Sequence, residues 1–245
     1  MSKEMSEMLK YIGMRGLLQN WEQYLKMAEK ENLSAVKLLK YIVDEEYKLK
    51  KENSRKMRIR RATIPEKFII ETYPFERQPN LNRKKVSNLY DSFDYMSKPQ
   101  NIIWMGPTGS GKTGLATSFL MQALNRGHTG RFITFPELIE TLYKSRGDHT
   151  DGRMIKLFST YDCLLIDELG YVETEPVQAG LFFTLMSKRY KKKSTLITTN
   201  LGFSEWDTFL KNGPLTAALI DRFTENSHVI NMRKCISLRS KAEES

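Results

Sequence analysis

The chain has 245 residues, 40% of them hydrophobic and 28% charged, with a formal net charge of +10 and a pI near 9.4. This composition supports a buried core and excludes wholesale disorder, and no apolar run approaches the roughly 20 residues that cross a bilayer. Two cysteines, Cys163 and Cys235, make neither a disulfide framework nor a zinc site, and the acid-bearing N-terminus "MSKEMSEMLKYIG" has no apolar signal core. A soluble, cytoplasmic protein without a membrane partner is expected.

Residues 1–60 carry helical periodicity. Met5, Met8, Leu9 and Ile12 recur at i, i+3, i+4 and i+7, and so do Leu17, Trp21, Tyr24, Leu25 and Ala28. Gly13-Met14-Arg15-Gly16 separates the two helices. Ser34 fits an N-cap for a third, whose apolar stripe is Ala35, Val36, Leu39, Ile42, Val43 and Tyr47. Trp21 and Tyr24 lie on an apolar stripe and read as core residues.

Residues 1–64 hold 15 bases against 9 acids, whereas the remaining 181 hold 24 against 20. Positive charge is therefore denser in the first quarter, and a polyanion is the natural partner. It peaks in "KLKKENSRKMRIRRA", where Lys48, Lys50, Lys51, Arg55, Lys56, Arg58, Arg60 and Arg61 face one acid, Glu52. Such a run is either a solvated helix face or a sequence-tolerant, salt-sensitive DNA contact. Pro65, Pro74 and Pro79 then suggest an extended segment. The expected organisation is a helical domain at 1–64, a linker or start of the core at 65–80, and a larger domain at 81–245.

From about residue 81, helical patches alternate with short β-branched runs: "NIIWM", "RFITF", "DCLLID", "TLITTN" and "HVINM". Strands alternating with helices predict an α/β fold, a largely parallel sheet flanked by helices. His128, His149 and His228 are scattered without ligand spacing.

"IIWMGPTGSGKTGLA" places Gly106-x-x-x-x-Gly111-Lys112-Thr113 between a predicted strand and a predicted helix. In such a loop, Gly106, Gly109 and Gly111 let the backbone curl so that its N–H groups face phosphates, and Pro107, Thr108, Ser110 and Gly114 complete the expected cofactor-binding stretch. Lys112 reaches the outer phosphates and Thr113 offers its hydroxyl to magnesium, so ATP and Mg²⁺ are the implied cofactors. "YDCLLIDELG" ends an apolar strand in two acids. Asp167 suits magnesium, and Glu168 suits the orientation or deprotonation of a water, which favours hydrolysis over phosphoryl transfer to a metabolite. Asn200, ending "STLITTN", can hold the attacking water against the γ-phosphate. Arg222, in "GPLTAALIDRF", is either an arginine finger offered to another subunit or a surface arginine paired with Asp221 or Glu225. Arg239, in "ISLRS", is a weaker phosphate-sensing candidate. The basic patch "KRYKKKS" at 188–194 reads as a DNA contact or as a loop before a strand. Tyr73 and Phe75, just before the core, are candidate adenine contacts.

The order of P-loop, acid pair, sensor asparagine and late arginine resembles an AAA+ ATPase. Within that group the chain resembles the IstB-like transposition helpers, relatives of the DnaC helicase loader, over nearly its whole length. The resemblance rests on the helical N-terminal module, "RIRRATIPEKFIIETYPFERQPNLN", "GPTGSGKTGLA", "LLIDELGY", "TTN" and "LIDRF". It implies an AAA+ core with a reduced or absent C-terminal lid, as only 45 residues follow Asn200. It also implies an ATPase that self-assembles on duplex DNA, selects an insertion target and engages the transposase of the same mobile element. The alternatives are a DnaC-like replicative helicase loader and, more distantly, a P-loop kinase for a small metabolite.

Overall fold

The computed structural model describes residues 1–239 and divides into two compact units, Met1–Met57 and the chain from Arg58 onward. In the first unit, helices α1 (Lys3–Ile12), α2 (Arg15–Lys30) and α3 (Ala35–Arg61, crossing the unit boundary) follow the periodicity of the sequence. Ser2 caps α1 and Ser34 caps α3 through their hydroxyls, each satisfying an N–H of a first turn.

Of the stripe expected to pack inward from α3, only Ile42 does. Ala35, Val36, Leu39, Val43 and Tyr47 are exposed, and α3 turns Leu38, Glu46 and Leu49 inward beside Ile42. The reason lies at the start of α2, whose N-cap, Met14, offers no side-chain acceptor. Glu46 supplies one. Its Oε1 accepts from the Leu17 N–H at 2.6 Å, where the unpaired amides and dipole of a helix start favour a carboxylate. Gly16 makes room for it, since a Cβ there would lie 3.1 Å from the same oxygen. Tyr24 is buried beneath, edge-on to Tyr41, as expected of it, whereas Trp21, expected in the core with it, is half-buried and Leu25 of the same stripe is exposed.

The second unit begins with residues that the proline content marked as linker or core start. They belong to the core. Two short 3-10 turns, Ile70–Thr72 and Phe75–Arg77, bury Ile70, Tyr73 and Phe75, and Gln78 and Leu81 follow them inside. The prolines stop a helix from forming, but the apolar side chains between them have a core to fill. The remaining elements alternate: α4 (Arg83–Ser92), α5 (Asp94–Ser97), β1 (Asn101–Met105), α6 (Lys112–Asn125), β2 (Gly130–Thr134), α7 (Phe135–Gly147), α8 (Asp151–Thr160), β3 (Cys163–Leu169), α9 (Pro176–Arg189), β4 (Ser194–Thr199), α10 (Trp206–Leu210), α11 (Gly213–Glu225) and β5 (Ser227–Asn231).

The five strands form one all-parallel sheet in the order β2-β3-β4-β1-β5. Alternate residues of each strand feed opposite cores, as period-2 geometry requires. Ile102 and Trp104 join Phe119 and Leu120 on one side, while Ile103 and Met105 join Ile166, Ile197 and Phe182 on the other. Chain reversal in the strand order puts β1 and β3 on either side of β4, so their carboxyl ends converge on one crevice. The outer edge of β2 is also occupied: the Phe132 N–H donates to the Ala62 carbonyl at 2.8 Å, and the Thr63 hydroxyl donates to the Phe132 carbonyl.

Candidate nucleotide-binding site

The loop between β1 and α6 holds the glycines where their chemistry is needed. Gly109 and Gly111 have φ of 81° and 88°, a region that side chains with a Cβ rarely adopt. At Gly111 the room is also taken, because a Cβ there would lie 2.6 Å from the ring of Tyr73. The Tyr73 hydroxyl donates to the Ser110 carbonyl at 2.8 Å, and burial pushes that phenol far above its ordinary range. Tyr73 thus supports the loop from beneath. With Phe75 it also lines a separate pocket of about 230 Å³, reaching Ile70, Tyr90 and Arg83.

Lys112 opens α6 and is buried, its ammonium donating to the Pro107 carbonyl at 2.8 Å. Burial pulls its pKa below the usual lysine range, Asp167 and Glu168 hold it up, and Arg239 adds a small downward push. The Thr113 hydroxyl donates to the Asp167 carboxylate at 2.9 and 3.2 Å. A hard carboxylate and a hydroxyl side by side are the donor set that Mg²⁺ accepts, and two positive-φ glycines beside a buried lysine suit a polyphosphate. The residues present fit both groups.

Asp167 and Glu168 sit on an irregularity of β3. Ile166 pairs with Ile197 and Leu169 with Thr199, so two residues on β3 oppose only Thr198 on β4. This is a β-bulge, and Glu168 occupies it at φ 60°, a strained value for a residue with a Cβ. Adjacent residues of a regular strand face opposite ways; the bulge lets two neighbouring carboxylates serve one crevice. Thr198 is the pin: its hydroxyl donates to Asp167 and accepts from the Glu168 N–H at 3.0 Å. Sequence reasoning passed over Thr198 because a threonine in a buried strand looks like packing.

A cavity of about 180 Å³ brings together Thr108, Lys112, Thr113, Glu168, Thr198 and Arg239, with Tyr171 hydrogen-bonding Thr108 across its rim. A cleft of about 600 Å³ opens on the other side of Thr113 and Glu168, bounded by Asp167, Glu137, Arg131 and Pro65. Glu168 is exposed and lines both. Asn200 stands exposed one residue past β4 and lines neither.

Arg222 lies on α11 with its guanidinium over the Phe183 ring at 4.6 Å and donating to the Ala218 carbonyl. It pairs with neither acid weighed in the sequence, Glu225 being taken by Lys191. Arg222 does not line its own chain's P-loop cavity.

The basic run is unequal along its length. Glu45 pairs Lys48, Glu52 pairs Arg55 and Lys56, and Arg58 donates to the Leu124 carbonyl at 3.0 Å. Lys50, Lys51, Arg60 and Arg61 are exposed and form no ion pair among the described residues. In the patch at 188–194, Arg189 is buried and donates to the carbonyls of Phe158, Tyr161 and Ser194. Lys193 pairs with Asp162 and Lys191 with Glu225, so Arg189 serves the interior while Lys191 and Lys192 remain at the surface. No helix among the described residues is long and apolar enough to cross a membrane.

The chain is similar to known proteins. A family model for the IstB-like ATP binding protein matches residues 7–245. The ATP-binding protein named for insertion sequence IS21 of Pseudomonas aeruginosa is 30% identical over 230 residues, spanning 94% of this chain and 86% of its own. That of insertion sequence IS232 in Bacillus thuringiensis subsp. berliner is 27% identical over 230 residues, spanning 94% and 92%. Among solved structures, the DnaC helicase loader aligns with a TM-score of 0.53 at 21% identity, over 61% of this chain and 87% of that one. DnaI aligns with a TM-score of 0.53 at 19% identity, over 61% and 81%. At those identities the structural likeness speaks for the fold, an AAA+ P-loop core. The match of the family model along nearly the whole length, with a relative 30% identical over 230 residues, leads to one conclusion: the chain belongs to the IstB-like ATP-binding protein family.

Proposed function

We propose that this protein is an Mg²⁺-dependent ATPase that assembles on duplex DNA with ATP and helps a transposase of the same mobile element to choose its target. The observation that carries the ATPase reading is the meeting of Lys112, Thr113, Asp167 and Glu168 at one crevice, with Glu168 exposed on a bulge. Bound Mg²⁺ would neutralise phosphate charge as it develops, with Thr113 and Asp167 as its ligands. The chain's own residues do the rest. Lys112 offers its ammonium to the outer phosphates, Glu168 orients a water and accepts its proton, and Asn200 is the further candidate for holding that water. Gly106 through Gly114 supply the loop around the phosphates.

Duplex DNA is the polyanion proposed for the basic run, chiefly through Lys50, Lys51, Arg60 and Arg61. Lys48, Arg55, Lys56 and Arg58 contribute less, since each has an intramolecular partner. Arg222, remote from its own P-loop, is proposed to complete a neighbouring subunit's site. The helicase-loader reading shares the fold, but relatives matched over 86–92% of their own length are named for insertion sequences, which favours transposition.

The test is ATP turnover without any acceptor, measured with duplex DNA, with single-stranded DNA and with neither, alongside sedimentation of the assemblies. DNA-stimulated hydrolysis and ATP-dependent assembly on duplex are expected. Lys112→Ala should abolish both, and mixing it with Arg222→Ala subunits should restore some turnover through composite sites. Turnover that requires a small-molecule acceptor, or assembly only on single strands, would defeat the proposal.

A further inference from the structure

The stretch "ETYPFERQPN" belongs to neither the nucleotide loop nor the basic helix, yet it holds Gln78, which is only 1% exposed. Its side-chain amide makes two bonds to one residue. Nε2 donates to the Ile236 carbonyl at 2.6 Å, and the Ile236 N–H donates to Oε1 at 2.9 Å. A primary amide used this way imitates a strand partner, and only a side chain that both donates and accepts can do so. Two residues on, the Asn80 amide donates to the Lys234 carbonyl at 3.0 Å.

The backbone these amides hold comes after the sheet ends. Met232 remains tied to β1, its N–H donating to the Met105 carbonyl at 2.7 Å, and no helix or strand follows among the described residues. The segment crosses the P-loop. A Cβ at Gly106 would lie 2.6 Å from the Met232 carbonyl oxygen, and the Leu238 N–H donates to the Gly109 carbonyl at 2.8 Å. At its end Arg239 lines the same cavity as Lys112 and Thr113. Two cations, Lys112 and Arg239, thus face one small cavity against a single carboxylate, Glu168, a positive balance that an anion relieves.

We propose that residues 232–239 form a strap across the P-loop, and that Gln78 is the positioning residue that docks it and so aims Arg239 at the outermost phosphate of a bound nucleoside triphosphate. The proposal rests on the nucleotide reading above and deepens it.

Two readouts test it on the full-length protein. The first needs no nucleotide. Cys235 lies on the strap at 6% exposure, and the chain's other cysteine, Cys163, is fully buried in β3. In Gln78→Ala, modification of Cys235 by an aromatic disulfide reagent should accelerate about tenfold or more, as local opening becomes easier, while Cys163 stays protected. The second is equilibrium binding. Gln78→Ala and Arg239→Ala should each lower the preference for ATP over ADP by about tenfold, the scale of one charge-assisted hydrogen bond, and the double variant should lose no more than either alone. An unchanged Cys235 rate, equal losses for ATP and ADP, or losses that multiply would overturn the proposal. If Gln78→Ala also exposes Cys163, the core has opened, and Arg239→Ala, which leaves the strap's anchors intact, decides by its ATP-over-ADP preference. Absence of ATP binding by the unmodified protein would refute the nucleotide reading itself; normal binding with indifferent variants refutes only the strap.

Discussion

Thr198→Val removes one oxygen and keeps the shape of the side chain, and the structure says what that oxygen holds. It donates to the Asp167 carboxylate and accepts from the Glu168 N–H at 3.0 Å. Without it a part-buried amide loses its partner and a buried carboxylate loses one of its two hydroxyl donors, the other being Thr113. Such orphaning costs about 1 to 3 kcal/mol. Glu168 is held at φ 60°, a conformation that costs about the same to maintain. Once unpinned, the bulge can relax and carry the Glu168 carboxylate away from the water it must orient. A misplacement on the order of 1 Å lowers turnover by about 100-fold. ATP affinity should change by less than about threefold, because Lys112 and the loop glycines are untouched. Urea denaturation of the apo protein and steady-state hydrolysis measure the two effects separately, and Thr198→Ser, which keeps the hydroxyl, should recover most of both. A Thr198→Val protein as stable and as active as the original would show that the bulge needs no pin.

Glu168→Gln keeps size and hydrogen bonding but cannot accept a proton, so turnover should drop by about 100-fold or more in a hydrolysis assay while ATP binding persists and assemblies on DNA last longer. Reversing Lys50, Lys51, Arg60 and Arg61 to glutamate should weaken duplex binding alike for all sequences, and the slope of log affinity against log salt should flatten by about 0.9 per lost phosphate contact. His228 offers a pH test. Burial first, then Lys85, lowers its pKa below the usual 6.5, against a weaker upward pull from Asp94. The unfolded chain therefore binds this proton more readily, so stability should fall as pH drops from about 6.5 towards the folded value, then level off. His228→Gln should remove that part of the slope in urea titrations at successive pH values.

All five strands were legible as short apolar, β-branched runs between helical patches, and two carried a further mark: β1 runs into the glycine cluster of the P-loop and β3 ends in a pair of acids. What escaped was decided by partners far along the chain. The outward stripe of α3 has the same spacing as an inward one; what turns the helix is Glu46 reaching the first turn of α2, 29 residues away. Thr198 is 31 residues from Asp167, and no local pattern distinguishes it from a core threonine. Gln78 meets Ile236 across 158 residues. The basic run was visible as charge, but its division into engaged and open residues depends on Glu45, Glu52 and the Leu124 carbonyl, and so on geometry.

The two rims of the sheet are finished differently. On β2 a backbone neighbour, Ala62, takes up the Phe132 amide, so that rim offers little to a foreign strand. On β5 the finish is a side chain: the Lys85 ammonium donates to the Val229 carbonyl at 3.0 Å. A lysine laid on an open strand occupies an acceptor and places a hydrated charge where another strand would dock. Val229 and Ile230 would otherwise present an uncharged, β-branched ribbon to any unfolded neighbour. The use of Lys85 thus concerns how the molecule survives its own crowding during synthesis. Its loss would register as material that precipitates on refolding at high concentration, with little change in the melting temperature of what stays in solution.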